Sequence, residues 1–365
     1  MRESYMKLAM ELALKGGNRV SPNPMVGAVI VKDNEIIGQG YHEEYGGPHA
    51  EINALRSAHK SPDGATMYVT LEPCCHHGKT LPCTDAIIKS GISKVVVGSK
   101  DPNPLVAGKG IKMLRKSGVN VEMSELENEC DELNKVFFHY IKTGLPYLVM
   151  KYAMTLDGKI ATYSGKSKWI SGETSRAHVH HTRNMMTAIM VGSGTIIADD
   201  PELTCRMVGG RDPKRVICDG GLRIPLDAKI FKNADRIETF VAACSKDEAK
   251  IENLENFGCK VIRVAELNCH MDLEDLMKQL GAQNIDSILL EGGSNLNAAA
   301  LEAGIVNKVQ AYISPKIFGG ESAKGPVGGK GIYSPDEAFI MKNRKITLMD
   351  EDVLLEYEVE RCLQE

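Results

Sequence analysis

The sequence contains no apolar run approaching the ~20 residues a bilayer-spanning helix needs, and it has neither an internal repeat nor a low-complexity tract. Its opening segment, MRESYMKLAMELALKGG, interrupts the apolar positions with Arg2, Glu3, Lys7, Glu11 and Lys15. That spacing lacks the unbroken apolar centre of a signal peptide and predicts an amphipathic helix closed by Gly16-Gly17. No membrane association is expected, and the expected compartment is the cytoplasm. Positive charge is not in excess either: 44 Lys and Arg stand against 48 Asp and Glu, for a formal net charge of −4. This balance argues against a dedicated nucleic-acid binder, yet it permits a local basic pocket for a small anion. Aromatic residues are few, and the rest of the composition is that of an ordinary globular protein.

Cysteine, by contrast, is plentiful at ten residues. In a reducing cytosol these do not form a disulfide framework. Cys130, Cys205, Cys218, Cys244, Cys259, Cys269 and Cys362 are expected to be small buried hydrophobes, whereas Cys74 and Cys83 sit in a setting that suggests metal.

A chain of 365 residues exceeds what one core usually serves, so two domains are expected. Strand-length apolar runs alternate with helical patterns, which predicts an α/β protein. MVGAVIV (25–31) and EIIGQGY (35–41) read as a hairpin around Lys32-Asp33-Asn34. TMYVTLE, KVVVGS and VNVEM follow as strands, with helices starting near His49, Cys83 and Lys109 and a long amphipathic stretch, ELENECDELNKVFFHYIKTG, at the end. Gly144-Leu145-Pro146 reads as a helix stop followed by extended chain, giving domains 1–144 and 145–365. In the second, YLVMKYAM, TAIMVGS, KRVICD, ETFVAA, CKVIRVA, SILLEGG and KVQAYIS are the expected strands. The glycine-rich stretch 319–335 is expected as a mobile loop.

The strongest chemical signal is His49-Ala50-Glu51, then Pro73-Cys74, then Cys83. One imidazole and two thiolates leave the fourth position of a tetrahedral Zn2+ open for water, which separates a catalytic site from a closed structural one. Cys83 opens a helical pattern, and a helix N-terminus favours its thiolate. Glu51 is not needed as a ligand and is placed to take a proton from the attacking water and pass it to a departing amine. Cys75 is read as a bystander, because adjacent cysteines rarely point at one metal. The set resembles that of zinc-dependent base deaminases, but eight residues separate the two cysteines here, too many for a plain cytidine deaminase.

The segment TLEPCCHHGKTLPCTDAI, with Gly78-Lys79-Thr80 and Pro82-Cys83, resembles the bifunctional deaminase-reductase family of riboflavin biosynthesis. Ser21-Pro22-Asn23-Pro24, Val26-Gly27, His42 and Asp101-Pro102-Asn103-Pro104 match as well, and the similarity runs over nearly the whole chain. The resemblance implies a cytidine-deaminase-like three-layer α/β domain followed by a dihydrofolate-reductase-like α/β domain. It implies removal of the 2-amino group from 2,5-diamino-6-ribosylamino-4(3H)-pyrimidinone 5′-phosphate, then reduction of the ribosyl group by NADPH to 5-amino-6-ribitylaminouracil 5′-phosphate. It further implies that Asn23, His42, His76, Lys79, Asp101 and Asn103 hold the first substrate. Lys79 offers a cation for the phosphate, and the Asn and Asp side chains can read the base edge.

SILLEGGSNLNAAALEAG (287–304) reads as a buried strand, a glycine turn and a helix whose first N–H groups can meet a phosphate, although the G-x-G-x-x-G spacing is absent. By resemblance, NADPH contacts fall to Ala153, Trp169, Thr195 and Asp199, and to the turn of Gly293, Ser294, Asn295, Leu296, Asn297, Ala298 and Ala299. The second substrate falls to Ser167, Arg183, Leu203, Arg206 and Glu291, with the two arginines as phosphate clamps. Lys151 is charged within an apolar strand and is expected either near the ribose carbon that accepts hydride or with its head group at the strand edge. Relatives often carry Asp-Ser near a cofactor contact where this chain has Asp219-Gly220, which therefore stays outside the expected site. A homo-oligomer is the usual state for such enzymes. Two competing readings are a deaminase acting on tRNA, which leaves the second domain without purpose, and a non-enzymatic protein with a relict site, against which the intact His49, Glu51, Cys74 and Cys83 set speaks.

Overall fold

Val29 and Val31 point to one face of their strand, Ala28 and Ile30 to the other, and all four are buried. A strand covered on both faces belongs in the middle layer of a helix–sheet–helix sandwich. The computed structural model, which describes residues 2–75, 82–104, 106–267 and 270–360, has that arrangement in its first unit. The chain divides into two compact units, Met1–Gly144 and Leu145–Glu365.

In the first unit, β1 (Gly27–Lys32), β2 (Glu35–Tyr41), β3 (Thr66–Leu71), β4 (Lys94–Ser99) and β5 (Asn120–Met123) form a sheet of order β2-β1-β3-β4-β5. The β1–β2 and β1–β3 pairs are antiparallel, and β3, β4 and β5 run parallel. Asp33 and Asn34 turn the β1–β2 hairpin with φ of 50° and 62°, the left-handed pair that suits the twist of the flanking strands. Helix α1 (Arg2–Leu14) covers one face. Helices α2 (Ala50–Arg56), α3 (Cys83–Lys89) and α4 (Lys109–Lys116) cover the other. The approach of α1 is close: a Cβ on Gly27 would stand 1.9 Å from the Ala9 carbonyl oxygen.

The closing amphipathic stretch is not one helix. It breaks into α5 (Glu127–Leu133) and α6 (Lys135–Thr143) at Asn134. The Asn134 side chain explains the break, for it accepts from the Met25 N–H and donates to the Met25 carbonyl, both at 2.9 Å. A buried asparagine that satisfies two backbone groups more than a hundred residues away outweighs helix continuity. Asn134→Ala is expected to destabilise the protein by about 1–3 kcal/mol, readable as a lower urea midpoint. An unchanged midpoint would mean that Met25 finds other partners.

The second unit has a nine-stranded sheet of order β10-β9-β8-β7-β13-β6-β14-β16-β15. Its strands are β6 (Tyr147–Thr155), β7 (Ala188–Gly192), β8 (Lys214–Cys218), β9 (Thr239–Ala243), β10 (Lys260–Arg263), β13 (Ser287–Leu290), β14 (Val306–Ser314), β15 (Met341–Met349) and β16 (Asp352–Val359). A separate ribbon joins β11 (Glu266–Leu267) to β12 (His270–Met271). From β10 to β14 every pair is parallel, and β16 and β15 close one edge antiparallel. Helices α10 (Leu273–Ala282) and α11 (Ser294–Glu302) pack on one face, and α8 (Ser193–Asp199) and α9 (Glu248–Asn256) on the other. A further helix, α7 (Glu173–Met185), packs over β14 and β16 through Val179, Tyr312 and Leu354. Strand β13 slots between β7 and β6 after the chain has already built the β7–β10 side, and this reversal opens a crevice at the strands' carboxyl ends.

Two expectations change here. The β15–β16 hairpin was absent from the expected strands, because β15 reads MKNRKITLM and six of its nine residues are exposed at a sheet edge. The stretch 319–335 is irregular but anchored: Gly328 N–H donates to the Ser294 carbonyl at 2.9 Å, and Asn297 Nδ2 donates to the Pro326 carbonyl at 2.9 Å. Among the described residues no helix is long and apolar enough to cross a membrane.

Candidate active site

His49 sits in extended conformation just before α2, Cys74 follows β3, and Cys83 is the first residue of α3. Strand end and helix starts bring the three donor atoms within 4.8 Å of one another. Bond lengths of ~2.3 Å to sulfur and ~2.0 Å to nitrogen at a tetrahedral angle require S and N roughly 3.6 Å apart. His49 Nδ1 stands 3.5 Å from Cys74 Sγ and 3.3 Å from Cys83 Sγ, so the donor set fits a zinc ion without rearrangement. Among the described residues no fourth His, Cys, Asp or Glu donor completes the group, and Cys75 is not part of it.

The helix start also acts on the neighbouring sulfur. Cys83 N–H points at Cys74 Sγ, 3.4 Å away. The Cys74 thiol is held down to about 4, first by the Cys83 side chain and then by His49 against the effect of burial. The negative sulfur of Cys74, with burial, in turn drives the Cys83 thiol up. His49 is raised to about 9 by the same Cys74 sulfur. Glu51, in the first turn of α2, is only 3% exposed, and burial pushes its carboxyl up, the direction that suits a group taking and returning a proton near neutral pH.

His42 and Asn23 form a second tier. His42 Nδ1 lies 3.0 Å from the Pro48 carbonyl, so that nitrogen carries the proton. Its Nε2 then accepts from Asn23 Nδ2 at 3.2 Å. Burial lowers the His42 pKa and keeps the ring neutral. With both nitrogens engaged and 2% exposure, His42 is fixed in place and holds the Asn23 side chain. Asp101 is buried, and its Oδ1 accepts the Asn103 N–H at 2.8 Å. His76 and Lys79 lie outside the described residues, as do Cys269 and Cys362.

In the second unit, two clefts of about 910 Å³ and 990 Å³ share Ile160, Ser167, Thr195, Asp199 and Gly293 in their walls. Both volumes suit a cofactor or a drug-sized ligand. The first also takes in Ser294, Asn295, Leu296 and Ala299 at the α11 N-terminus, whose leading N–H groups can meet a phosphate. Asn297 and Ala298 are buried on the inner side of that helix and do not line the cleft.

Ala153, Trp169, Lys151, Arg183, Arg206 and Glu291 line the second cleft. Leu203 is buried in the core beneath it at a φ of 55°. Arg183 is not a free phosphate clamp. Its Nε and Nη2 donate to Glu291 at 2.6 and 3.0 Å, and its Nη1 donates to the Thr204 carbonyl at 2.9 Å. Three of the five guanidinium N–H groups are thus committed, and Arg206, Lys168 and Lys229 are exposed cations of the wall. Lys151 lies on a central strand, with Nζ 3.4 Å from Glu291, which overturns the strand-edge alternative. Burial raises the Glu291 carboxyl, but Lys151 and Arg183 overcome it and hold it down at about 2.

Sequence reasoning missed Arg223, which lines the first cleft and donates to Ser193 Oγ at 2.9 Å. It also missed His180, which lines the second and accepts the Arg206 N–H at 3.3 Å. Both are polar residues in unremarkable local sequence, so only the folding of distant strands exposes their position.

Residues 146–355 match the RibD C-terminal domain family, and residues 1–99 match the cytidine and deoxycytidylate deaminase zinc-binding region. The riboflavin biosynthesis protein RibD of Actinobacillus pleuropneumoniae is 52% identical over 355 residues, 97% of this chain and 94% of that protein. The protein of the same name from Aquifex aeolicus is 43% identical over 97% of each chain. Among solved structures, a diaminohydroxyphosphoribosylaminopyrimidine deaminase/5-amino-6-(5-phosphoribosylamino)uracil reductase of Thermotoga maritima superposes with a TM-score of 0.86 at 39% identity, over 98% of both chains. Acinetobacter baumannii RibD gives 0.87 at 38% identity, over 98% of this chain and 99% of that one.

Proposed function

The chain belongs to the RibD family of riboflavin biosynthesis, and from that membership we propose which of its side chains carry each of the two reactions. The enzyme is a zinc-dependent deaminase joined to an NADPH-dependent reductase. It deaminates 2,5-diamino-6-ribosylamino-4(3H)-pyrimidinone 5′-phosphate and then reduces the ribosyl group to give 5-amino-6-ribitylaminouracil 5′-phosphate. We assign deamination to residues 1–144 and reduction to residues 145–365.

The observation that carries the first assignment is the His49, Cys74 and Cys83 donor set with a buried carboxylate beside it. Those three residues would hold the zinc, which when bound supplies the Lewis acid that makes water nucleophilic near neutral pH. Glu51 takes the proton from the attacking water and returns it to the departing amine. Asn23, oriented by His42, reads the base edge together with Asp101 and Asn103, while His76 and Lys79 complete the substrate contacts.

NADPH, when bound, supplies the hydride. Thr195, Asp199, Gly293, Ser294, Asn295, Leu296 and Ala299 would hold it, with Ala153 and Trp169 beside the second cleft. Ser167, Arg206 and the backbone at Leu203 hold the sugar phosphate. Glu291 fixes Lys151 and Arg183 next to the ribose carbon that accepts the hydride, so that their charge orients the opened sugar. The acidic total supports an enzyme that acts on a small phosphorylated substrate rather than on nucleic acid, and we place it in the cytoplasm. The exposed edge strand β15, with Ile346 and Leu348 outward, supports a homo-oligomer.

The test is an assay of the full chain with both reactions followed separately. A chelator is expected to stop ammonia release while leaving NADPH oxidation on the deaminated intermediate intact, and added zinc to restore release. Loss of both reactions together, or of neither, would overturn the division of labour.

A further inference from the structure

Glu72 follows directly on β3 and precedes Pro73-Cys74, so it stands two residues before a zinc donor. It is 3% exposed. Oε2 accepts the N–H groups of Asp101 at 3.3 Å and Gly108 at 2.9 Å, and Oε1 accepts the Ile111 N–H at 3.1 Å. One side chain thereby holds the beginning of the 101–108 segment, its end, and the first turn of α4. Inside the segment, Asn103 donates its N–H to Asp101 Oδ1, and the Asn103 carbonyl accepts from Val106 and Ala107 at 2.8 and 2.9 Å. The chain then passes through left-handed backbone at Gly108, φ 80°. The seat is tight: a Cβ on Gly110 would stand 2.1 Å from the Pro73 carbonyl oxygen.

The geometry points to Glu72 as a positioning residue for deamination, one that ties the loop carrying Asp101 and Asn103 to the strand end carrying Cys74 and so fixes base-reading groups relative to the zinc donors. The inference rests on the reading of the first unit as a deaminase. A carboxylate is suited to the task because it accepts from three N–H groups at once, and the bonds it makes are charge-assisted. Glutamine keeps the shape but turns one acceptor into a donor facing an N–H group. The loop then loses an anchor while the metal donors and Glu51 keep theirs.

The experiment compares the wild-type full chain with Glu72→Gln. For the variant, KM for the diaminopyrimidinone phosphate is expected to rise about tenfold or more, with kcat changed much less, zinc bound at the wild-type level, and NADPH-driven reduction of the deaminated intermediate unchanged as the control for folding. A wild-type KM in Glu72→Gln overturns the proposal. Loss of zinc also overturns it, since Glu72 would then support the metal and not the loop. Should Glu72→Gln be insoluble, Glu72→Asp, which keeps both oxygens on a shorter arm, takes its place: a smaller rise in KM in the same direction supports the proposal, and a wild-type KM overturns it. Failure of the wild-type chain itself to release ammonia is a different result and sinks the deaminase reading.

Discussion

Glu51→Gln is expected to lower the rate of ammonia release about 10²–10⁴-fold, the range for a lost general acid–base group. Zinc content should not change, because the donors His49, Cys74 and Cys83 are untouched and glutamine fills the same buried volume. NADPH oxidation on the deaminated intermediate should also persist, since every residue assigned to it lies between 151 and 299. Metal analysis and two separate assays check all three statements. A variant that sheds zinc would make Glu51 a ligand. A variant that still deaminates at the wild-type rate would hand proton transfer to another group.

The second large effect concerns Glu291. Its carboxylate sits between Arg183 and Lys151, and the three side chains are 12%, 14% and 16% exposed. Replacing Glu291 with glutamine leaves two buried cations without their partner, a change that costs about 3–5 kcal/mol when one member of a buried pair is removed. The chain's single tryptophan, Trp169, lies in the second unit and carries the Arg176 guanidinium 4.7 Å from its ring centroid, so urea unfolding followed by its emission reports on that unit. The deficit should also depend on pH. Because the folded carboxyl titrates near 2, below the ordinary 4.5, the wild-type advantage is complete above about 4.5 and fades as pH falls from there toward 2. The two midpoints should therefore converge in acid. A constant gap across that window would mean that shape, not charge, carries the effect. Reduction should be lost in the same variant, because Lys151 and Arg183 no longer have a fixed place.

Local signals carried much of the fold. The alternating runs of β1 and β2 with left-handed Asp33 and Asn34 between them, and the buried runs of β3 and β4, are readable because period and turn chemistry agree. The metal donors were readable for a similar reason: their residue types are rare in combination, and each stands at the end of a recognisable element. What escaped depends on partners far away in the chain. Asn134 breaks a helix only because Met25 is there to be bonded. Edge strand β15 carries too little apolar pattern to betray itself. The approach of the Cys83 N–H to the Cys74 sulfur joins two segments nine residues apart and has no local signal. Arg183 was expected as a phosphate clamp from the family resemblance and its chemistry, and its bonds to Glu291 and Thr204 need three distant segments to meet.

The walls common to the two clefts of the second unit bear on inhibitor chemistry. Ser167, Thr195, Asp199 and Gly293 belong to both, so the two volumes lie side by side. A single compound that joins a nucleotide-like fragment to a ribitylated uracil fragment can fill both volumes at once. The tether turns the second docking event into an intramolecular one, at an effective concentration on the order of millimolar for a short linker. Two weak fragments joined across that shared wall become one tight ligand without any new contact.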